Sequence, residues 1–231
     1  MSKIVVVGKN GAGKGTLLDK FMAGKEGEVR IVAMSSLLSN VKETDPELWE
    51  KIDAIMKAGD LVPDEIIMGI IEKELEGETR NIIFDGFPRT KAQATAMINY
   101  GLVPDAIIEI DLPDELVVKR ANERRVCSKC RKSYTVAGGY NPPKQDGICD
   151  DCSAPLTKRP DDEESVVRKR LAQYREQTYP VIEILAGAGA VCYTVDNSED
   201  NDDAQISFNE IMNLFYKRRE KQRTSAAFWH L

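Results

Sequence analysis

Histidine is almost missing from this chain: the one copy, His230, stands next to the last residue. A side chain so close to a terminus is poorly fixed, which argues against a Ser–His–Asp triad and against histidine acid–base chemistry. No uninterrupted apolar run is long enough to span a bilayer, so no membrane role is expected. An excess of positive charge is lacking too: 32 Lys and Arg stand against 38 Asp and Glu, a formal charge of −6. That balance argues against a generic nucleic-acid binder, which must neutralise phosphates. Internal repeats and long low-complexity tracts are absent as well. The opening Met1-Ser2-Lys3 runs straight into Ile4-Val5-Val6-Val7, too short for a signal-peptide core and followed by Gly8-Lys9-Asn10. The run reads as a strand, and the protein as cytoplasmic.

What is present is an ordinary globular balance, 42% hydrophobic and 30% charged over 231 residues. That length suits one α/β domain with room for an insertion. Short Val- and Ile-rich runs at Lys3–Val7, Arg30–Ala33, Asn81–Asp85, Ala106–Asp111 and Ala190–Val195 are nearly continuous in apolar character, as strands covered on both faces should be. Helical patterns fall between them at Gly13–Ala23, Pro46–Ala58, Asp64–Leu75, Lys91–Tyr100, Asp114–Arg125, Glu163–Ala186 and Ala204–Gln222. Such alternation predicts right-handed crossovers and a parallel sheet, with ligands beyond the carboxyl ends of its strands. Two stretches break the rhythm: an all-helical one from about Ser35 to Leu75, and Val126–Lys158, rich in Cys, Gly and Pro. The basic run from Lys217 to Arg223 reads as a solvated helix end.

The segment "GKNGAGKGT", Gly8 to Thr16, follows the first strand and opens a helix, with Gly8, Gly13 and Lys14 at the spacing of a P-loop. Glycines let backbone N–H groups turn inward around phosphate oxygens, and the helix N-terminus adds partial positive charge. Lys14 then reaches the outer phosphates. The residue after that lysine is Gly15 where Ser or Thr is usual, and Thr16 comes next.

With that G-K-G-T ending, "NIIFDGFPRTKAQA" (Asn81–Ala94) resembles the D-G-[FY]-P-R segment of nucleoside monophosphate kinases, and the adenylate kinase family in particular. Further likeness runs through "GDLVPDE" (Gly59–Glu65), "DLPDELVVKRANERR" (Asp111–Arg125), "YNPPK" (Tyr140–Lys144) and "RPDDEESVVRKRL" (Arg159–Leu171). The resemblance implies a P-loop parallel-sheet core with helices on both faces (1–33, 81–125 and 160–231), a helical monophosphate-binding insertion (34–80) and a lid (126–159). It implies reversible phosphoryl transfer from ATP to AMP, with Mg2+, by a monomer. By motif, Gly11, Ala12, Gly13, Lys14, Gly15, Thr16, Arg120, Arg124, Ser133 and Tyr134 fall to ATP. Asp60, Leu61, Val62, Gly86, Phe87, Pro88, Arg89, Gln93, Arg159 and Arg170 fall to AMP, and Asp85 to magnesium through water. Lys14, Arg89, Arg124, Arg159 and Arg170 become the catalytic set, because phosphoryl transfer depends on positioned charge and Arg holds phosphate oxygens bidentately. Asp161 and Asp162 resemble the family's lid-hinge carboxylates.

Cys127-x-x-Cys130 and Cys149-x-x-Cys152 have the spacing of a tetrahedral four-cysteine zinc site. Four thiolates leave no open position, so the metal would be structural, stapling a lid too poor in apolar residues to fold alone. A redox pair and four incidental thiols are the competing readings. Cys192, in an apolar strand, reads as a buried small hydrophobe.

One motif departs from the family. Where a T-G-D-x-x-R run is usual, with its threonine and arginine on the monophosphate, this chain has Ala33 and Leu38. The departure predicts weak acceptor binding and a relaxed choice of base, with Lys42 one turn beyond Leu38 as a partial substitute. A kinase for another monophosphate, a weakened nucleotide sensor and a zinc-ribbon nucleic-acid switch are the alternative functions.

Overall fold

The computed structural model describes residues 1–57, 62–130, 132–136, 141–159, 162–199 and 202–227. Asp60, Leu61, Asp161 and His230 lie outside these residues. Strands β1 (Lys3–Gly8), β2 (Val29–Ala33), β3 (Asn81–Asp85), β4 (Ala106–Asp111) and β8 (Val191–Asp196) form one sheet in the order β2-β3-β1-β4-β8. Every pairing in it is parallel. Strand β1 lies where the order reverses, with β2 and β3 on one side and β4 and β8 on the other, which is where such sheets bind ligands.

The period of two along β1 explains its unbroken apolar run. Ile4 and Val6 enter one core while Val5 and Val7 enter the other. On the first face α1 (Lys14–Met22), α6 (Asp114–Glu123), α7 (Glu164–Gln173) and α9 (Asp203–Ala227) contribute Leu18, Phe21, Val117, Leu171 and Phe208. On the second face lie α2 (Met34–Thr44), α3 (Pro46–Lys57), α4 (Asp64–Leu75), α5 (Lys91–Asn99) and α8 (Tyr179–Gly187), with Leu37, Ile52, Ile71, Met97 and Leu185. Each fully buried aliphatic side chain contributes about 1.5–3 kcal/mol, so both faces are firmly held. A second sheet, β6 (Ser133–Thr135), β5 (Arg124–Cys127) and β7 (Leu156–Thr157), is antiparallel; Cys127 ends β5, and Cys130, Cys149 and Cys152 lie in the segments between its strands.

Three expectations need correction. The single helix over Glu163–Ala186 is divided by a π-helical turn, Tyr174–Thr178, between α7 and α8. The helix over Asp114–Arg125 stops at Glu123, and Arg124 and Arg125 open β5. Cys192 is exposed: β8 is the edge strand, and only Val195 in it is buried. No helix among the described residues is long and apolar enough to cross a membrane.

Candidate active site

The loop after β1 is shaped by its glycines. Gly11 (φ 93°) and Gly13 (φ 92°) sit in the left-handed region that side chains disfavour. A Cβ on Gly8 would lie 2.6 Å from the carbonyl oxygen of Ile110. No side chain caps the start of α1, so its first N–H groups remain for a phosphate. Lys14 folds back over the loop and donates from Nζ to the carbonyls of Gly8 (2.6 Å) and Lys9 (3.0 Å). Burial lowers its pKa to about 8; the Asp85 carboxylate opposes that shift, and Arg89 and Arg124 add to it. Lys9 is itself held, donating to the Leu112 carbonyl at 2.7 Å and pairing with Asp114 at 3.1 Å.

These groups open on a cavity of about 1720 Å³ at the carboxyl ends of the strands. A single small ligand needs only about 300–1,000 Å³, so this space takes two. Gly11, Gly13, Lys14, Gly15, Thr16, Asp85, Gly86, Pro88, Arg89, Gln93, Arg120, Arg124, Ser133, Tyr134, Arg159 and Arg170 all border it. Three expected contacts do not. Ala12 is fully buried, its N–H taken by the Lys9 carbonyl. Phe87 is buried against Phe84, ring centroids 6.2 Å apart. Val62 packs on the second apolar core. Tyr134 borders the cavity, but its ring is buried in the cluster with Cys127 and Cys149, and its hydroxyl meets Cys149 Sγ (3.3 Å) and the Asp150 N–H (2.9 Å).

The arginines are pre-set by neighbours. Arg124 makes a two-pronged ion pair with the fully buried Asp162, Nε to Oδ2 at 2.9 Å and Nη2 to Oδ1. Arg120 donates to the Asn197 carbonyl at 2.8 Å. Arg89 bends back so that Nε donates to the Gly86 carbonyl at 2.8 Å, and its N–H donates to Gln93 Oε1 at 2.8 Å. Leu38 is half-buried against the second core, and Lys42 Nζ sits 5.8 Å from the centre of the Trp49 ring. Asn197 was not legible in the sequence. It follows β8 in a polar loop with no motif, yet Nδ2 donates to the Ala12 carbonyl at 2.7 Å and crowds Gly13.

Beside the antiparallel sheet the four cysteine sulfurs lie within 4.8 Å of one another. The N–H groups of Lys129 and Cys130 both point at Cys127 Sγ, 3.4 Å away. The Tyr134 hydroxyl pulls the Cys149 thiol down from its ordinary pKa. Four sulfurs around a tetrahedral zinc lie roughly 3.8 Å apart, given Zn–S bonds of about 2.3 Å. The cluster fits such an ion.

A phosphate loop on the central strand, a half-buried lysine and a ring of arginines around a two-ligand cavity define a P-loop nucleotide phosphotransferase. The sequence model of adenylate kinase matches residues 6–189. Among curated proteins, adenylate kinase of Caldicellulosiruptor saccharolyticus is 38% identical over 203 residues, covering 85% of this chain and 93% of that one. Those of Thermosipho africanus (37%, 91% and 98% covered) and Rhizorhabdus wittichii (36%, 90% and 98% covered) are comparable. The chain belongs to the adenylate kinase family and is a nucleoside monophosphate kinase.

Proposed function

We propose that the enzyme catalyses reversible transfer of the terminal phosphoryl group of ATP to AMP, giving two ADP. ATP lies over the P-loop, and AMP lies against the loop that starts at Gly86 and the first turn of α5 with Gln93. The observation that carries this reading is Lys14, half-buried at the wall of the two-ligand cavity, with Asp85, Arg89 and Arg124 acting on its charge. An AMP phosphate oxygen attacks the terminal phosphorus in line as the bond to the bridging oxygen breaks, and ADP leaves. Positioned charge lowers the barrier to that step. The carbonyls of Gly8 and Lys9 hold the Lys14 ammonium in place, and the incoming phosphate oxygens take over from them. Arg120 and Arg124 face the donor phosphates, Arg89 the acceptor, and Arg159 and Arg170 the group in transit. Adenylate kinases use Mg2+ with ATP; it neutralises phosphate charge, and Asp85 at the end of β3 would hold it through water. The four lid cysteines would hold a structural Zn2+, with no part in the chemistry. The enzyme works as a cytoplasmic monomer without nucleic-acid or membrane partners, in keeping with its acidic charge and unpaired thiols. A coupled assay of ADP formed from ATP and AMP tests the reading. Activity in the parent and a fall of about 10²–10³-fold in kcat for Lys14→Met are expected; an unaltered Lys14→Met would sink it.

A further inference from the structure

Arg89 is exposed at the cavity edge, and two of its anchors are near in sequence, the Gly86 carbonyl and the side-chain oxygen of Gln93 in α5. A third comes from the far end of the sequence: Thr178 Oγ1 donates to the Arg89 carbonyl at 2.8 Å. Thr178 closes the π-helical turn, in which the Tyr179 N–H reaches back to the Tyr174 carbonyl. The cause of that wide turn is legible. Pro180 follows, and it has no N–H with which to continue an α-helical bond to Glu176. Such turns recur at functional sites. Here one face of the helix, Arg170, Gln173, Tyr174, Gln177 and Thr178, borders the cavity at spacings of three and four.

We propose that Thr178 is a positioning residue for the acceptor: its hydroxyl fixes the Arg89 backbone to the helix that bears Arg170. One rigid element then sets the acceptor-side arginine and the lid-side arginine in register. The inference rests on the assignment of Arg89 to the acceptor phosphate. Donor contacts at the P-loop do not pass through this bond, so the two substrates respond differently to its loss.

The test is steady-state kinetics of Thr178→Val, which keeps the shape and removes the hydroxyl, beside Thr178→Ser, Arg89→Ala and the double variant Arg89→Ala/Thr178→Val. Losing one neutral hydrogen bond should raise the KM for AMP roughly 3- to 10-fold while the KM for ATP stays within about 2-fold. Thr178→Ser should restore the parent value, and in the Arg89→Ala background Thr178→Val should add no further rise. A Thr178→Val enzyme with unchanged KM for AMP, with equal rises for both substrates, or with an effect that adds fully to Arg89→Ala overturns the proposal. If Arg89→Ala itself leaves the KM for AMP unchanged, the acceptor assignment fails and this inference with it. If Arg89→Ala raises that KM and Thr178→Val does not, only this inference fails.

Discussion

The two excursions from the sheet are built by opposite means. The helical one, α2 to α4, buries Leu37, Val41, Ile52, Ile67, Met68 and Ile71 in the same cluster as Val5, Val32 and Phe84. It is an outgrowth of the main core. The cysteine-bearing one has a cluster of its own, Cys127, Tyr134 and Cys149, with Cys152, Ala154 and Leu156 packed against it. Even with the buried Val126, so small a cluster supplies only a few kcal/mol, far less than ordering such a segment costs. The lesson is that shared apolar area holds one piece in place and donor chemistry holds the other, so different insults should undo them.

The largest effect should come from the apolar excursion. Ile71→Ala, in the fully buried stripe of α4, should destabilise the whole chain by about 2–5 kcal/mol and lower Tm by about 4–20 °C, whether or not a chelator is present. Thermal melts in both buffers check this; a variant that melts like the parent would separate α4 from the core. The metal side is next. Metal analysis should find one zinc per chain, and Cys152→Ser or a chelator should expose residues 126–159 to hydrogen exchange and proteolysis while the sheet stays protected. Protein purified without chelator and free of zinc would remove the contrast. A milder probe is Tyr134→Phe, which deletes the hydroxyl on Cys149 and should weaken zinc binding about 10-fold in a competition titration.

The remaining two concern chemistry. Leu38→Arg should lower the KM for AMP roughly 10- to 100-fold, the value of one charge-assisted contact, and narrow the choice among AMP, GMP, CMP and UMP. Lys42 is engaged with the Trp49 ring, which leaves room for that gain. A parent enzyme already in the low-micromolar range and unimproved by the change would refute it. The smallest effect is with pH. Because burial lowers the Lys14 pKa to about 8, the free enzyme loses the Lys14 charge as pH rises through that value. The kcat/KM for ATP should therefore fall above pH 8 in the parent, and Lys14→Arg, which does not titrate there, should lack that limb.

Much of this was legible because the patterns are redundant. Val and Ile runs mark the central strands, and glycines fix the phosphate loop. Two cysteine pairs announced their cluster. What stayed hidden has physical reasons. Helix α2 falls in the stretch read as all-helical, but its boundary is unmarked: it starts at Met34 directly after β2 ends at Ala33, with no linker and no side-chain cap. The π-turn has the apolar spacing of a continuing helix, so only the proline hints at it. Strand β8 is as apolar in composition as a central strand, and only the sheet order reveals that Cys192 faces out. Strands β6 and β7 have three and two residues, too few for any alternation to register. The side chains of Asn197 and Thr178 each donate a hydrogen bond to a distant backbone carbonyl, which leaves no trace in local sequence.

The pairing of Arg124 with Asp162 sits where the chain leaves for the cysteine-bearing excursion and where it returns. Among the described residues, the segment is also tied back by the Val136 N–H on the Glu123 carbonyl (2.9 Å) and by an exposed ion pair of Lys158 with Glu163 (3.1 Å), but the Arg124–Asp162 pair is the buried one. The excursion is thus a cassette with its own clasp. A shorter hairpin, or a finger with other metal ligands, could be spliced in between these two residues, and the sheet beneath would keep the same ends to close on.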